Sequence, residues 1–153
     1  MSPLPFAAGP PLTPDAIELR AHAADWRAAV AIAGEVLART GAATPAYSAE
    51  MVRMIEEHGP YVVIAPGLAL AHARPGPEVL ADGLAIVILA EPVSFGHPHN
   101  DPVNVVLGLA IATADEHLAA VAALANVFND SSAIIDLAAA TTADEVLEIM
   151  RAS

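Results

Sequence analysis

Apolar and polar residues along the chain fall into three regimes. Residues 16–21, AIELRA, alternate apolar and polar side chains, the pattern of a half-buried strand. The next run, Trp26–Arg39, is rich in Ala, Val, Ile and Leu and follows Asp25. It predicts a helix with Asp25 as N-cap and Gly41 as its stop. A second helix is predicted from Thr44 as N-cap, with Pro45 at the first helical position, to about Glu57. Gly59 and Pro60 close it.

The middle of the chain has a shorter period. Residues 61–65 (YVVIA) and 68–73 (LALAHA) are apolar pieces set off by Pro66-Gly67 and Pro75-Gly76, which predicts two short strands around a turn. Residues 83–90 (GLAIVILA) and 103–112 (VNVVLGLAIA) are longer apolar runs suited to buried central strands. A polar loop, 91–102 (EPVSFGHPHNDP), separates them. The last third reads as helix. Thr113 and Glu116 form a capping box for a helix to about Phe128, Asp130 is placed to cap the next through about Leu137, and Thr142 with Glu145 opens a terminal helix ending near Arg151. Helices, then strands, then helices predict an α/β or α+β sandwich around a mixed sheet, with no repeat and no internal linker.

Composition narrows the chemistry. The chain has 153 residues, the size of one domain, and 56% are hydrophobic. No apolar run reaches the ~20 residues of a membrane helix. Residues 1–11 are expected to be a flexible arm before a single domain at 12–153. The opening MSPLPFAAGPPLTP lacks the basic residues of a signal or transit peptide, so the cytoplasm is the expected location. Eighteen acidic against six basic residues give a net charge of −12, which disfavours binding to nucleic acid or to anionic membranes. There is no cysteine and no lysine, so thiol nucleophiles, zinc–thiolate sites, Schiff bases and lysine-dependent phosphate loops are absent. Between Met54 and Met150 the sole arginine is Arg74. No cofactor is expected.

Candidate chemistry rests on the six histidines, His22, His58, His72, His97, His99 and His117. His72 lies in an apolar strand-like segment with Arg74 two residues on. In a strand, positions i and i+2 share a face, which places a guanidinium beside the imidazole. That pairing suits phosphoryl chemistry: nitrogen attacks phosphorus while arginine screens the phosphate oxygens. The plain alternative is a strand-end histidine with Arg74 as a surface charge. His117 falls in the first turn of the helix opened by Thr113, whose positive end tolerates an anion. His97, His99 and Asp101 form H-x-H-x-D, a pattern that could ligate a metal at strand spacing, although Pro98 and Pro102 favour a loop. His22 and His58 are expected at the surface, and Trp26 in the core.

Taken together, YVVIAPGLALAHARPG, GLAIVILAEPVSFGHPHNDPVNVVLGLAIATADEHLAAVAALANVF and DWRAAVAIAGEVLARTGAATPAY resemble the mannitol–fructose class of enzyme IIA domains of the bacterial sugar phosphotransferase system, and most closely its ascorbate branch. The resemblance spans about residues 12–150. It implies a three-layer α/β sandwich, a mixed sheet of about five strands with helices on both faces. It further implies a phosphotransferase in which His72 accepts phosphate from the histidine phosphocarrier protein and passes it to enzyme IIB. Enzyme IIC, the membrane permease, would be an indirect partner, and the sugar would be ascorbate or a relative. His117 matches a second family histidine that assists the phosphoryl group. Ala71 stands where the family usually has proline. The mannitol branch has an arginine sixteen residues before its active histidine, where this chain has Glu56; Arg74 is expected to take over that charge.

Other readings are a regulatory phosphohistidine relay without transport, a metal-dependent enzyme built on His97, His99 and Asp101 with or without His72, and a binding module without chemistry. The intact His72 and His117 count against the last. Self-association into a homodimer is compatible with the sequence.

Overall fold

A computed structural model of the chain describes residues 12–129 and 131–152. The expected arm at 1–11 and the N-cap expected at Asp130 lie outside the described residues. A short 3-10 turn, Pro14–Ala16, leads into β1 (Ile17–Ala21). Then come α1 (Trp26–Arg39), α2 (Ala46–His58), β2 (Val63–Ala65), β3 (Leu68–His72), β4 (Gly83–Val93) and β5 (Val103–Ala110). Helices α3 (Ala114–Val127), α4 (Ser131–Ala139) and α5 (Ala143–Ala152) close the chain.

The helix starts follow the capping chemistry. Asp25 accepts a hydrogen bond from the Ala28 amide at 2.9 Å, and Thr113 Oγ1 accepts from Glu116 at 3.3 Å. Thr142 Oγ1 accepts from the Glu145 amide, while the Glu145 carboxylate reaches back to the Thr141 amide and hydroxyl, a reciprocal box. At α2 the start falls one residue later than expected, with Pro45 as the N-cap and Ala46 the first helical residue. Pro45 has helical angles and the Thr44 carbonyl accepts from Tyr47, but the Thr44 hydroxyl is buried without a partner. The Thr44 amide is drawn instead to the Glu78 carbonyl at 2.8 Å, which ties the start of α2 to the loop before β4.

The sheet order is β1-β4-β5-β3-β2. β1 with β4 and β3 with β5 are parallel, whereas β4–β5 and β2–β3 are antiparallel. Strand β4 runs beyond the expected end at Ala90: after a register break past Ile88, Val93 pairs with Val103, and Glu91 and Pro92 sit exposed on the irregular stretch. Strand β2 starts late because the Pro60 carbonyl closes a turn on Val63.

Period-2 alternation divides the strands between two cores. Ala69 and Ala71 of β3, Ala85 and Val87 of β4 and Val106 of β5 face α1 and α2. Leu68, Leu70, Ile86, Ile88, Val105, Leu107 and Leu109 face α3, α4 and α5. The result is a three-layer sandwich with a mixed five-stranded sheet. Small residues on the α1–α2 side let those helices lie close. At Gly34 of α1 an added Cβ would sit 1.8 Å from Ser48 Oγ of α2, so only glycine permits this approach.

Candidate functional site

His72 is the last residue of β3, on the same face as Leu68 and Leu70. Its ring therefore points toward the layer of α3. It is half-buried, and its Nδ1 lies 2.7 Å from the Leu70 carbonyl oxygen. A carbonyl can only accept, so Nδ1 carries the hydrogen and donates it. Nε2 then keeps its lone pair. Burial pushes the His72 pKa down, partly countered by this bond to Leu70. The result is a neutral imidazole with one nitrogen tethered and the other available for attack.

Parallel strand β5 ends beside β3, with Leu109 paired to His72. The chain then turns through Thr113 into α3, which brings the His117 ring to 5.2 Å from the His72 ring, centre to centre. His117 is half-buried and its Nδ1 lacks a hydrogen-bond partner. Burial, and then the proximity of His72, lower its pKa as well. On the other side the Tyr61 ring meets His72 edge-on at 5.5 Å, with its hydroxyl 3.4 Å from the His72 carbonyl. Burial raises the Tyr61 pKa, and Arg74 opposes that rise.

These side chains line a cavity of about 280 Å³ together with Met54, His58, Ala73 and Arg74. Strand β3 stops at His72, so Arg74 belongs to the extended segment beyond it and not to the strand itself. It nevertheless lines the same cavity, is exposed, and makes no ion pair among the described residues. His72, His117 and Arg74 are thus brought together. Glu56 is not: it faces α1 and pairs with Arg27 at 3.0 Å. Ala71 is fully buried inside the ladder, opposite Gly108.

The H-x-H-x-D stretch is a self-contained turn. Asp101 accepts from the amides of Phe95, Gly96 and His97 and from the Ser94 hydroxyl. Burial raises the Asp101 pKa, but these bonds together outweigh it and leave the carboxyl below its usual range. His97 Nδ1 already accepts from the His99 and Asn100 amides. Among the described residues no three His, Asp or Glu side chains cluster so as to hold a metal ion. His22 is exposed, as expected, whereas Trp26, expected in the core, is half-buried at its edge beside Phe95.

Sequence reasoning missed three residues around His72. Tyr61, expected as the first residue of a strand, lies in the turn before β2. His58 is exposed, as expected, yet lines the cavity and meets Tyr61 edge-on at 6.3 Å. Tyr47 is buried in α2 with its hydroxyl aimed at the end of β3. Only the Tyr47 position, an aromatic with a polar tip on the inner face of a helix, carried a usable signal: a buried tyrosine hydroxyl needs a partner.

Comparisons with known proteins bear on the chain as a whole. The sequence profile of the family described as "Phosphoenolpyruvate-dependent sugar phosphotransferase system, EIIA 2" matches residues 11–153. The ascorbate-specific PTS system EIIA component of Shigella boydii is 36% identical over 135 residues, 88% of each chain. The crystal structure of IIA mannitol from Escherichia coli superposes with a TM-score of 0.81 at 30% identity, covering 92% of this chain and 99% of that one. The solution structure of enzyme IIA mannitol in complex with phosphorylated enzyme IIB, also from Escherichia coli, gives a TM-score of 0.81 at 28% identity, with 94% and 99% covered.

Proposed function

Because the chain belongs to the phosphoenolpyruvate-dependent sugar phosphotransferase system EIIA 2 family and is a phosphoryl-transfer component of such a system, we propose that it carries the phosphoryl group on Nε2 of His72. In this reading the donor is the histidine phosphocarrier protein and the acceptor is enzyme IIB, which serves a membrane permease, enzyme IIC. The observation that carries the reading is the bond from His72 Nδ1–H to the Leu70 carbonyl, which fixes the tautomer and leaves Nε2 nucleophilic.

Neutral Nε2 attacks phosphorus, an N–P bond forms, and the N–P bond to the donor imidazole breaks. Attack places positive charge on the His72 ring, and the Leu70 carbonyl stabilises it through the Nδ1–H bond. Arg74 screens the phosphate oxygens from the open side of the cavity. His117, at 5.2 Å, supports the phosphoryl group at the start of α3. Transfer to IIB is the same step in reverse, with IIB supplying the nucleophile.

Ascorbate or a related sugar is the proposed cargo, on the strength of relatives bearing that name at 36% identity over 88% of the chain. The test is a relay assay. The chain, charged with phosphate from phosphoenolpyruvate through enzyme I and the phosphocarrier, is purified and mixed with its cognate IIB. Phosphate should move to IIB and leave His72 bare. Phosphate that stays on the chain in the presence of folded IIB would overturn the proposal.

A further inference from the structure

The register of β3 on β5 leads to a residue that the phosphoryl reading leaves unused. Val105 donates to the Gly67 carbonyl at 3.0 Å, which sets the phase of this parallel ladder. With Leu68 opposite Val105 and His72 opposite Leu109, the next rung would run from the Ala73 amide to the Leu109 carbonyl. At that rung both backbone groups also share a side-chain partner. The Tyr47 hydroxyl stands between the two groups. It accepts from the Ala73 amide at 3.1 Å and donates to the Leu109 carbonyl at 2.7 Å. The Ala73 carbonyl lies farther off, at 3.4 Å. Tyr47 is 1% exposed, so these bonds are made away from bulk solvent.

The hydroxyl thereby ties the two strand ends together immediately after His72. The end of β3 carries His72, Ala73 and Arg74. The end of β5 carries the turn into α3 and with it His117. We infer that Tyr47 is a positioning residue whose hydroxyl sets the spacing of His72 and His117 by splinting the ends of β3 and β5. It touches neither phosphate nor a reacting atom. The consequence for phosphoryl transfer rests on the function proposed above, whereas the spacing itself does not.

Tyr47→Phe removes the hydroxyl and keeps the ring. The Ala73 amide and Leu109 carbonyl must then close on each other, which moves His72 relative to His117, or lose their shared partner, which loosens both strand ends. Misplacement of a reacting group by ~1 Å costs up to ~10²-fold in rate, so phosphoryl acceptance should slow roughly 10- to 100-fold. Two nuclear magnetic resonance readouts separate positioning from loss of stability. The His117 titration midpoint, depressed in part by His72, should shift, and the nuclear Overhauser contact between the two rings should change. Met51→Leu, a swap at a fully buried site of the same helix, is the control and should leave rate, titration and contact unchanged. Should Tyr47→Phe not fold, amide exchange in the wild type reads the same bond. The Ala73 amide, beyond the strand end, should be as protected as that of Ala71.

An unchanged rate and titration in folded Tyr47→Phe, equal slowing in Met51→Leu, or rapid exchange at Ala73 would each overturn the inference. A wild type that accepts no phosphate would instead overturn the proposed function, and the inference would then stand or fall on the titration, ring contact and exchange.

Discussion

Asp101→Asn tests whether the H-x-H-x-D stretch is held by its carboxylate. Oδ2 accepts from Gly96 N at 2.7 Å, Ser94 Oγ at 2.8 Å and His97 N at 2.9 Å, while Phe95 N lies 3.0 Å from Oδ1. Asparagine offers one oxygen. Placed at Oδ2, it keeps the bonds from Gly96, Ser94 and His97 without their charge and shares the Phe95 amide only through its longer 3.1 Å contact, with an NH₂ group now where Oδ1 was. Bonds to a charged acceptor are worth ~1.5–3 kcal/mol against ~0.5–1.5 kcal/mol for neutral ones. In a dry site the change would cost about 4 kcal/mol. The carboxylate is partly exposed, so screening reduces this to about 1–2 kcal/mol. At ~2–4 °C per kcal/mol for a chain of this size, thermal unfolding should drop by roughly 3–6 °C at pH 7. The folded-state pKa of Asp101 is lowered, so its contribution is present above the ordinary carboxylate pKa and lost as pH falls through the lower folded value. The difference between variant and wild type should therefore narrow below about pH 4. Amide exchange should quicken at Phe95, Gly96 and His97, and also at Gly67, whose amide donates to the Asn100 carbonyl of the same loop at 3.0 Å. A melting temperature within 1 °C of wild type, or unchanged exchange at these amides, would refute the carboxylate clasp.

Other expectations concern the cavity. His117→Ala should still accept phosphate but exchange it about 10²-fold more slowly in stopped-flow transfer; a variant that cannot be labelled, or that transfers at the normal rate, removes the supporting role. Arg74→Ala should slow both acceptance and donation, by roughly 2–4 kcal/mol of transition-state stabilisation; unchanged rates with both protein partners would mean that its charge does not reach the phosphate. Both histidine pKa values are depressed in the folded chain, so the unfolded chain binds more protons as pH falls. Stability from these groups is full above about pH 6.5 and is lost as pH drops through the folded values. Denaturant titrations should show this slope in the wild type and a shallower one in His72→Gln; equal slopes would contradict the buried neutral imidazole.

Local chemistry made the elements legible. Asp25, Thr113 and Thr142 announce their helices because each cap acts within three residues of itself. Leu68 and Leu70 against Ala69 and Ala71 announce a strand between two unequal cores. Less legible were features set by distant groups. The Thr44 hydroxyl does not cap α2, because the N-cap falls on Pro45 and Thr44 lies one residue before it. The continuation of β4 to Val93 depends on a register break against β5. In the site, the i, i+2 rule placed Arg74 near His72 for an incomplete reason, since the strand ends first and the following segment brings the guanidinium to the cavity. The approach of His117 to His72 came from the family resemblance, because nothing local to either histidine encodes it. The reach of Tyr47 to partners 26 and 62 residues away could be read only from the folded chain.

The central claim is that His72 carries the phosphate. Its most direct test is the intact mass of the wild type and of His72→Gln after incubation with phosphoenolpyruvate, enzyme I and the histidine phosphocarrier. Only neutral imidazole among the side chains present is a good nucleophile near pH 7 without a dedicated base, and only His72 pairs a tethered Nδ1 with an arginine lining the same cavity. The wild type should gain a single phosphate that is lost in mild acid and kept in alkali, and folded His72→Gln should gain none. Labelling of folded His72→Gln, or an acid-stable phosphate on the wild type, would contradict the account.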